Sequence, residues 1–143
     1  MHSNSYTVIF TSIVTIILGG FLSVAAGTLK DIQDLNVKND SKKNILSSLG
    51  YRPNGDGVWT SEDITKLFEL NIEAYVLNSS GNQTDIDPVS VNTDTDYEHF
   101  PIYVDKKNGV VNGYAIPISG KGLWSTLYGY FAIEPDGLTA KGI

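Results

Sequence analysis

A short segment, Ser119–Gly122, contains residue types that phosphate-binding loops use. Such a loop has Gly, four further residues, and then Gly-Lys followed by Ser or Thr, whose hydroxyl binds Mg²⁺. Here Gly122 and Leu123 follow Lys121, so the hydroxyl is missing and we reject nucleotide binding. Nucleophilic catalysis would need a base beside a Ser or Thr, and the sequence shows no such grouping.

A metal site is the next possibility, because residues 84–99 are acidic. A calcium loop needs Gly at its sixth position and Glu at its twelfth, and neither is placed correctly from any starting Asp here. His2 and His99 lie far apart without neighbours at ligand spacing, and cysteine is absent. We therefore expect a solvated loop and two ordinary surface histidines, with no metal, disulfide or iron–sulfur cluster. The four aspartates concerned are Asp85, Asp87, Asp94 and Asp96.

Length and charge narrow the class of protein. The 143 residues are enough for one small domain, and their formal net charge is -6. Nucleic-acid binding needs basic patches that neutralise phosphates. We therefore exclude a nucleic-acid partner.

The N-terminal part of the chain has the composition of a membrane span. No Asp, Glu, Lys or Arg occurs from Ser3 to Leu29, and the apolar run Val8–Gly27 has the roughly 20 residues that a helix needs to cross a bilayer. The alternative is a cleaved signal peptide, for which the small residues of "SVAAG" offer a cleavage site. The long apolar run and the absence of Lys or Arg before it favour a retained anchor, residues 1–29, in contact with membrane lipid.

The rest of the chain predicts a domain of the α+β class with an antiparallel sheet. Helical spacing continues over residues 30–50 as a juxtamembrane helix, and Gly50 stands at a helix-stop position. A second helix begins near Thr60, and the strands alternate with turn residues, of which Asn108-Gly109 is the strongest hairpin signal. Residues 51–143 then form the domain proper.

The stretch "PISGKGLWSTLYGYFAIEPDGLTAKGI" resembles the C subunit of the sodium-translocating NADH:quinone oxidoreductases. The Gly-x-Gly-Leu-Trp-Ser core, the Tyr-containing strand and the "DG" turn carry the resemblance, together with a single span ending in "SVAAG" and the helix "LKDIQDLN" directly after it. It covers residues 8–143. The G subunit of the Rnf-type electron-transport complex has a similar layout and is the alternative.

The resemblance implies a translocase subunit with a flavoprotein domain. Such a subunit carries FMN, bound through its phosphate to a Thr in a Ser-Gly-Ala-Thr motif, and passes electrons between redox centres of a complex that couples NADH oxidation and reduction of a quinone such as ubiquinone to sodium export. Its partners are the other subunits of that complex. It lies in the bacterial inner membrane as a single-pass protein with its soluble part outside the cytoplasm.

Two features depart from this pattern. Ser-Gly-Ala-Thr occurs nowhere in the sequence, so no residue here receives the attachment role, and we interpret the chain as an N-terminal portion of such a subunit with an incomplete FMN-binding domain. In that form it would resemble a non-catalytic, membrane-anchored assembly module, which is the second function class. The lysines after the span, Lys30, Lys38, Lys42 and Lys43, favour a cytoplasmic domain instead, but acidic residues are mixed with them.

The glycine-rich turn leaves two interpretations open. In the first, Gly120 and Gly122 permit a sharp turn into the next strand and Trp124 fills the core beneath it, because aromatic side chains bury large areas. In the second, Gly120, Gly122, Trp124 and Ser125 lie beside the flavin. We favour the first.

Overall fold

The computed structural model describes residues 4–53, 55 and 57–143, and it divides between Lys38 and Asn39 into two compact units. His2, expected at the surface, lies outside the described residues. The helices are α1 (Asn4–Ser48) and α2 (Ser61–Asn71), and a 3₁₀ turn occupies Pro88–Ser90. The strands are β1 (Ile72–Asn78), β2 (Gln83–Thr84), β3 (His99–Lys107), β4 (Val110–Lys121), β5 (Thr126–Ile133) and β6 (Ala140–Gly142).

The described part of the unit before Asn39, residues 4–38, is helical, and it carries no charged side chain up to Leu29. Its side chains are exposed, and α1 is long and apolar enough to cross a membrane. Within the apolar run, the Thr11 hydroxyl is satisfied by its own helix, because it donates to the Thr7 carbonyl at 2.8 Å. An exposed apolar surface of this kind is stable only against lipid or another protein.

The unit from Asn39 onward is built on a six-stranded sheet in the order β2-β1-β3-β4-β5-β6. Every neighbouring pair is antiparallel. The predicted α+β class, with a long apolar N-terminal helix and an antiparallel sheet, is confirmed. β6 is short and pairs only with the end of β5, through Gly142 opposite Ala132 and Ala140 opposite Ile133.

Short-range signals in the sequence fix the ends of these elements. Gly50 has φ +90°, and the bonds from Gly50 N to the Ser47 carbonyl and from Tyr51 N to the Leu46 carbonyl form a Schellman motif that ends α1. Thr60 caps α2 by accepting a hydrogen bond from the Asp63 N–H at 3.1 Å. The predicted Asn108-Gly109 turn is also present, with φ of 52° and 80° at the two residues.

The core lies on one face of the sheet, which we call the inner face. The last turns of α1 pack there together with α2, and the face itself is lined by Tyr103, Ala115 and Ala132. Aromatic rings run through this layer, because Tyr103 meets Phe68 and Tyr130 edge to face at centroid distances of 6.3 and 5.8 Å. The side chains buried in the cluster are Ile45, Leu46, Leu49, Ile64, Ile72, Tyr103, Ala115 and Ala132.

Candidate functional site

The β4–β5 tip, residues 120–128, brings the sequence-predicted site residues together. β4 ends at Lys121 and β5 begins at Thr126, and the Gly122 N–H donates to the Ser125 carbonyl at 3.0 Å to close the connection. A Cβ added at Gly122 would lie 2.7 Å from the Ser125 carbonyl oxygen and 3.0 Å from Leu127 Cγ. Glycine is therefore needed at 122, because a side chain there would collide with the Ser125 carbonyl.

The prediction that Gly120 takes part in the turn was wrong. Gly120 lies within β4 and pairs with Leu127, its φ is not positive, and a Cβ there would meet open space. The hairpin simply extends further than the glycine spacing indicated, so the reversal falls on residues 122–125.

The prediction that Trp124 fills the core was also wrong. Trp124 is 94% exposed and Leu123 is 89% exposed. The reason is geometric: the end of the β4–β5 hairpin extends past the layer that the two helices cover, so Leu123 and Trp124 are left exposed in the described part of residues 39–143. The exposed indole of Trp124 lies next to a glycine-containing turn that has no side chain at Gly122. The indole offers a flat apolar surface on which a planar ring can stack.

The acidic loop is attached to the base of this tip. Tyr128 donates its hydroxyl to Asp94 Oδ2 at 2.6 Å, and Ser119 bonds the same carboxylate. The hydrogen bonds from Ser119 and Tyr128 lower the pKa of Asp94, while the bond to Asp94 raises the pKa of Tyr128. At neutral pH the pair is thus a carboxylate and a protonated phenol, which holds the loop but supplies no general base.

The same loop contains no metal site in the part of the chain that the structure describes. Its carboxylates bond the backbone instead: Asp96 Oδ1 accepts from the N–H groups of Glu98 and His99, each at 3.0 Å. These bonds and that from the His99 ring lower the pKa of Asp96. His99, expected to be an ordinary surface residue, is half-buried, and its ring Nδ1 pairs with Asp96 Oδ2 at 2.9 Å.

A second polar cluster lies inside the domain and was missed by sequence reasoning. Asp105 is completely buried, and it accepts hydrogen bonds from the Tyr51 hydroxyl at 2.7 Å and from Asn112 Nδ2 at 2.6 Å. Burial first, and then the bond to Asp105, raises the pKa of Tyr51, so its hydroxyl remains a donor at neutral pH. The Lys107 ammonium lies 4.7 Å from the centre of the Tyr51 ring.

This cluster is structural in character. The Schellman motif aims Tyr51 at the sheet, and the Asp105 bond ties the end of α1 to β3. Strand alternation could have revealed it, because Asp105 occupies the same face as the buried Tyr103.

Comparisons with known proteins add what the geometry leaves open. No family model matches the chain. Curated proteins do match it over nearly its full length: one from Pseudomonas aeruginosa is 26% identical, one from Neisseria meningitidis serogroup B 27%, and one from Haemophilus ducreyi 28%, each over 99% of this chain. All three are named as the C subunit of a Na(+)-translocating NADH-quinone reductase.

The chain resembles these C subunits over almost its whole length. The resemblance predicted from "GKGLWS" and the strand after it is thereby confirmed. The match covers only 62% of the length of each of the three relatives, so about two fifths of each has no counterpart in these 143 residues. Their activity is accordingly a proposal for this chain rather than a property that similarity transfers.

Proposed function

We propose that this chain is a membrane-anchored electron-transfer subunit of a complex that couples NADH oxidation and quinone reduction to sodium export. The observation that carries the proposal is the similarity to the reductase C subunits along 99% of the chain. The apolar helix supports it, because a helix long and apolar enough to cross a membrane can hold the chain beside the other subunits of a membrane complex. The same relatives favour this sodium pump over the Rnf-type alternative.

We further propose that the β4–β5 tip lies beside the FMN of that complex. Trp124 and Gly122 fit one face of a planar ring, but the described residues do not make a complete flavin site. One hollow lies along residues 95–99 and another along α2, and no residue of the tip lines either of them. The sequence has no Ser-Gly-Ala-Thr for a phosphate link. This chain's own contribution would be the stacking surface, and further polypeptide would supply the rest.

The second function class is a non-catalytic, membrane-anchored assembly module. It is supported by the same observation, that the described residues do not make a complete flavin site. A tip with an exposed Trp and Leu could equally contact a neighbouring protein, since aromatic residues are enriched at interfaces. The two functions differ in whether Trp124 affects electron transfer or only assembly.

We expect the chain, tagged and purified from its native membranes in mild detergent, to bring NADH:quinone reductase activity with it. Trp124→Ala should bring the same subunits but transfer electrons up to about tenfold more slowly, because aromatic stacking contributes about 0.5–1.5 kcal/mol. Trp124→Phe, which keeps a ring, is the matched control and should lose less.

Two results would count against this assignment. If the purified chain brings no NADH-oxidising activity with it, the chain is not a subunit of the reductase. Unchanged electron transfer in Trp124→Ala, with normal recovery of the other subunits, would separate the tip from the flavin and favour the assembly module.

The proposal also sets the topology: residues after the span lie outside the cytoplasm, and the span is retained. A reporter enzyme that works only in the periplasm, fused after Gly57, should be active and should stay in the membrane pellet after alkaline carbonate washing. Activity restricted to a cytoplasmic reporter at the same site would show the orientation that the lysine count favours. Release with a lower mass would show a cleaved signal peptide.

A further inference from the structure

The face of the sheet opposite the core, which we call the outer face, is almost entirely apolar. The pairing register and the alternation of side chains place one set of residues from β1, β3, β4 and β5 on this side. Glu73 and Lys106, which form an ion pair, are its charged members. The apolar members are Tyr75, Leu77, Phe100, Ile102, Val104, Val111, Tyr114, Ile116, Ile118, Leu127, Phe131 and Ile133.

Within residues 39–143, the helices and loops that can be placed lie on the other side. The end of α1 and α2 pack on the inner face. The acidic loop is on that side too, because Asp94 bonds the inner-face residues Ser119 and Tyr128. On the outer face Phe100 is 46%, Ile118 40% and Leu127 68% exposed.

An apolar surface of this extent needs a cover. Antiparallel sheets with one solvated face alternate apolar and polar side chains, whereas strands that are apolar on both faces are buried on both faces. β4 and β5 follow the second pattern, since Ala115 and Ala132 are fully buried inside while Ile116 and Phe131 line the outer face. A further layer on the outer face is what this pattern requires.

The occupant that best fits is polypeptide. The ion pair of Glu73 and Lys106 and the hydroxyl groups of Tyr75 and Tyr114 lie within the face, and polar groups covered by hydrocarbon without partners cost free energy. A protein layer can supply those partners, and the hydrocarbon tails of lipid cannot. The C-subunit relatives contain a suitable amount of chain, because about two fifths of each lies outside the matched part.

We propose that the outer face is the docking surface for the part of a C-subunit-type protein that has no counterpart in these 143 residues. The proposal rests on the proposed function only through the relationship to the reductase C subunits. The result would be a three-layer domain. This chain supplies the helical layer and the sheet, and the docked polypeptide supplies the third layer. The flavin site, incomplete at the tip, would be completed from the same added layer.

The test uses single cysteines, since the chain has none. Ile118→Cys reports on the outer face, Leu70→Cys on an exposed position of α2, and Ala115→Cys on the buried inner face. Each full chain is produced in its native membranes and treated with a maleimide. We expect Ile118→Cys to react at least about tenfold more slowly than Leu70→Cys, and Ala115→Cys to react only in urea. A photoactivatable cross-linker on position 118 should then yield a peptide of C-subunit-type sequence.

The other outcomes overturn the proposal. Equal reactivity at positions 118 and 70 would show an uncovered face. Protection with a cross-link to this same 143-residue sequence in another molecule would show self-association. Protection without any cross-linked peptide would show a lipid cover. Because the readout uses neither NADH nor flavin, an inactive reductase with a protected, correctly cross-linked face would overturn the proposed function and leave this inference standing.

Discussion

Replacing Leu46 by Ala is expected to lower the free energy of unfolding of the unit from Asn39 onward by about 3 kcal/mol, within the range of about 2–5 kcal/mol for a buried Leu. Leu46 is fully buried among the inner-face residues, and its carbonyl accepts the Tyr51 N–H that closes the Schellman motif. The cavity would therefore open where the end of α1 meets the sheet.

The measurement is urea unfolding of the full chain in detergent micelles. Of the two tryptophans, Trp59 packs against the core and Trp124 is exposed, so a Trp124→Phe background leaves Trp59 as the reporter. Leu70→Ala is the matched control, because Leu70 lies on α2 and is 73% exposed. Equal losses in the two variants would mean that the end of α1 does not belong to the folded unit.

The second large effect is the absence of covalent flavin. The 143-residue chain, produced together with a flavin-transferring enzyme, should show no flavin fluorescence in a denaturing gel. The physical reason is that a phosphate ester needs one specific Thr hydroxyl, and the motif that presents it is not in the sequence. A C-subunit-type protein that contains Ser-Gly-Ala-Thr, treated in the same way, is the positive control.

A fluorescent band from these 143 residues would contradict that expectation. Ser125 and Thr126, at the β4–β5 tip, would then be the first hydroxyls to replace with Ala. A flavin that is bound but lost on denaturation would agree with the expectation, because stacking on Trp124 forms no covalent bond.

Signals carried by a few adjacent residues predicted the fold well. Gly50 ends α1, Thr60 caps α2, and Asn108-Gly109 makes the β3–β4 turn, each because the backbone conformation is decided locally. Side chains alternate along β5 as in a regular strand, with Tyr130 and Ala132 facing the core. The strand order, in which β1 lies between β2 and β3, depends on long-range pairing and was not predicted.

The candidate site was predicted less well, because burial depends on which elements cover a residue. Trp124 is of a residue type that is usually buried. Its exposure became apparent only from the structure, in which the β4–β5 hairpin extends beyond the helices. Asp105 looks like a surface carboxylate in sequence, yet Tyr51 and Asn112 from distant segments satisfy it in the interior. The sequences of β4 and β5 already show apolar residues at the positions that form the outer face. That no described helix packs on this face could be seen only from the arrangement of the layers in the structure.

The central claim, that this chain is a working part of a sodium-exporting NADH:quinone reductase, is tested most directly by deleting its gene. Sodium-stimulated NADH:quinone reductase activity would be measured in inverted membrane vesicles from the deletion strain and from the same strain supplied with the chain. The account predicts that the sodium-stimulated part is lost on deletion and restored by the full chain. Activity that is unchanged by deletion would contradict it.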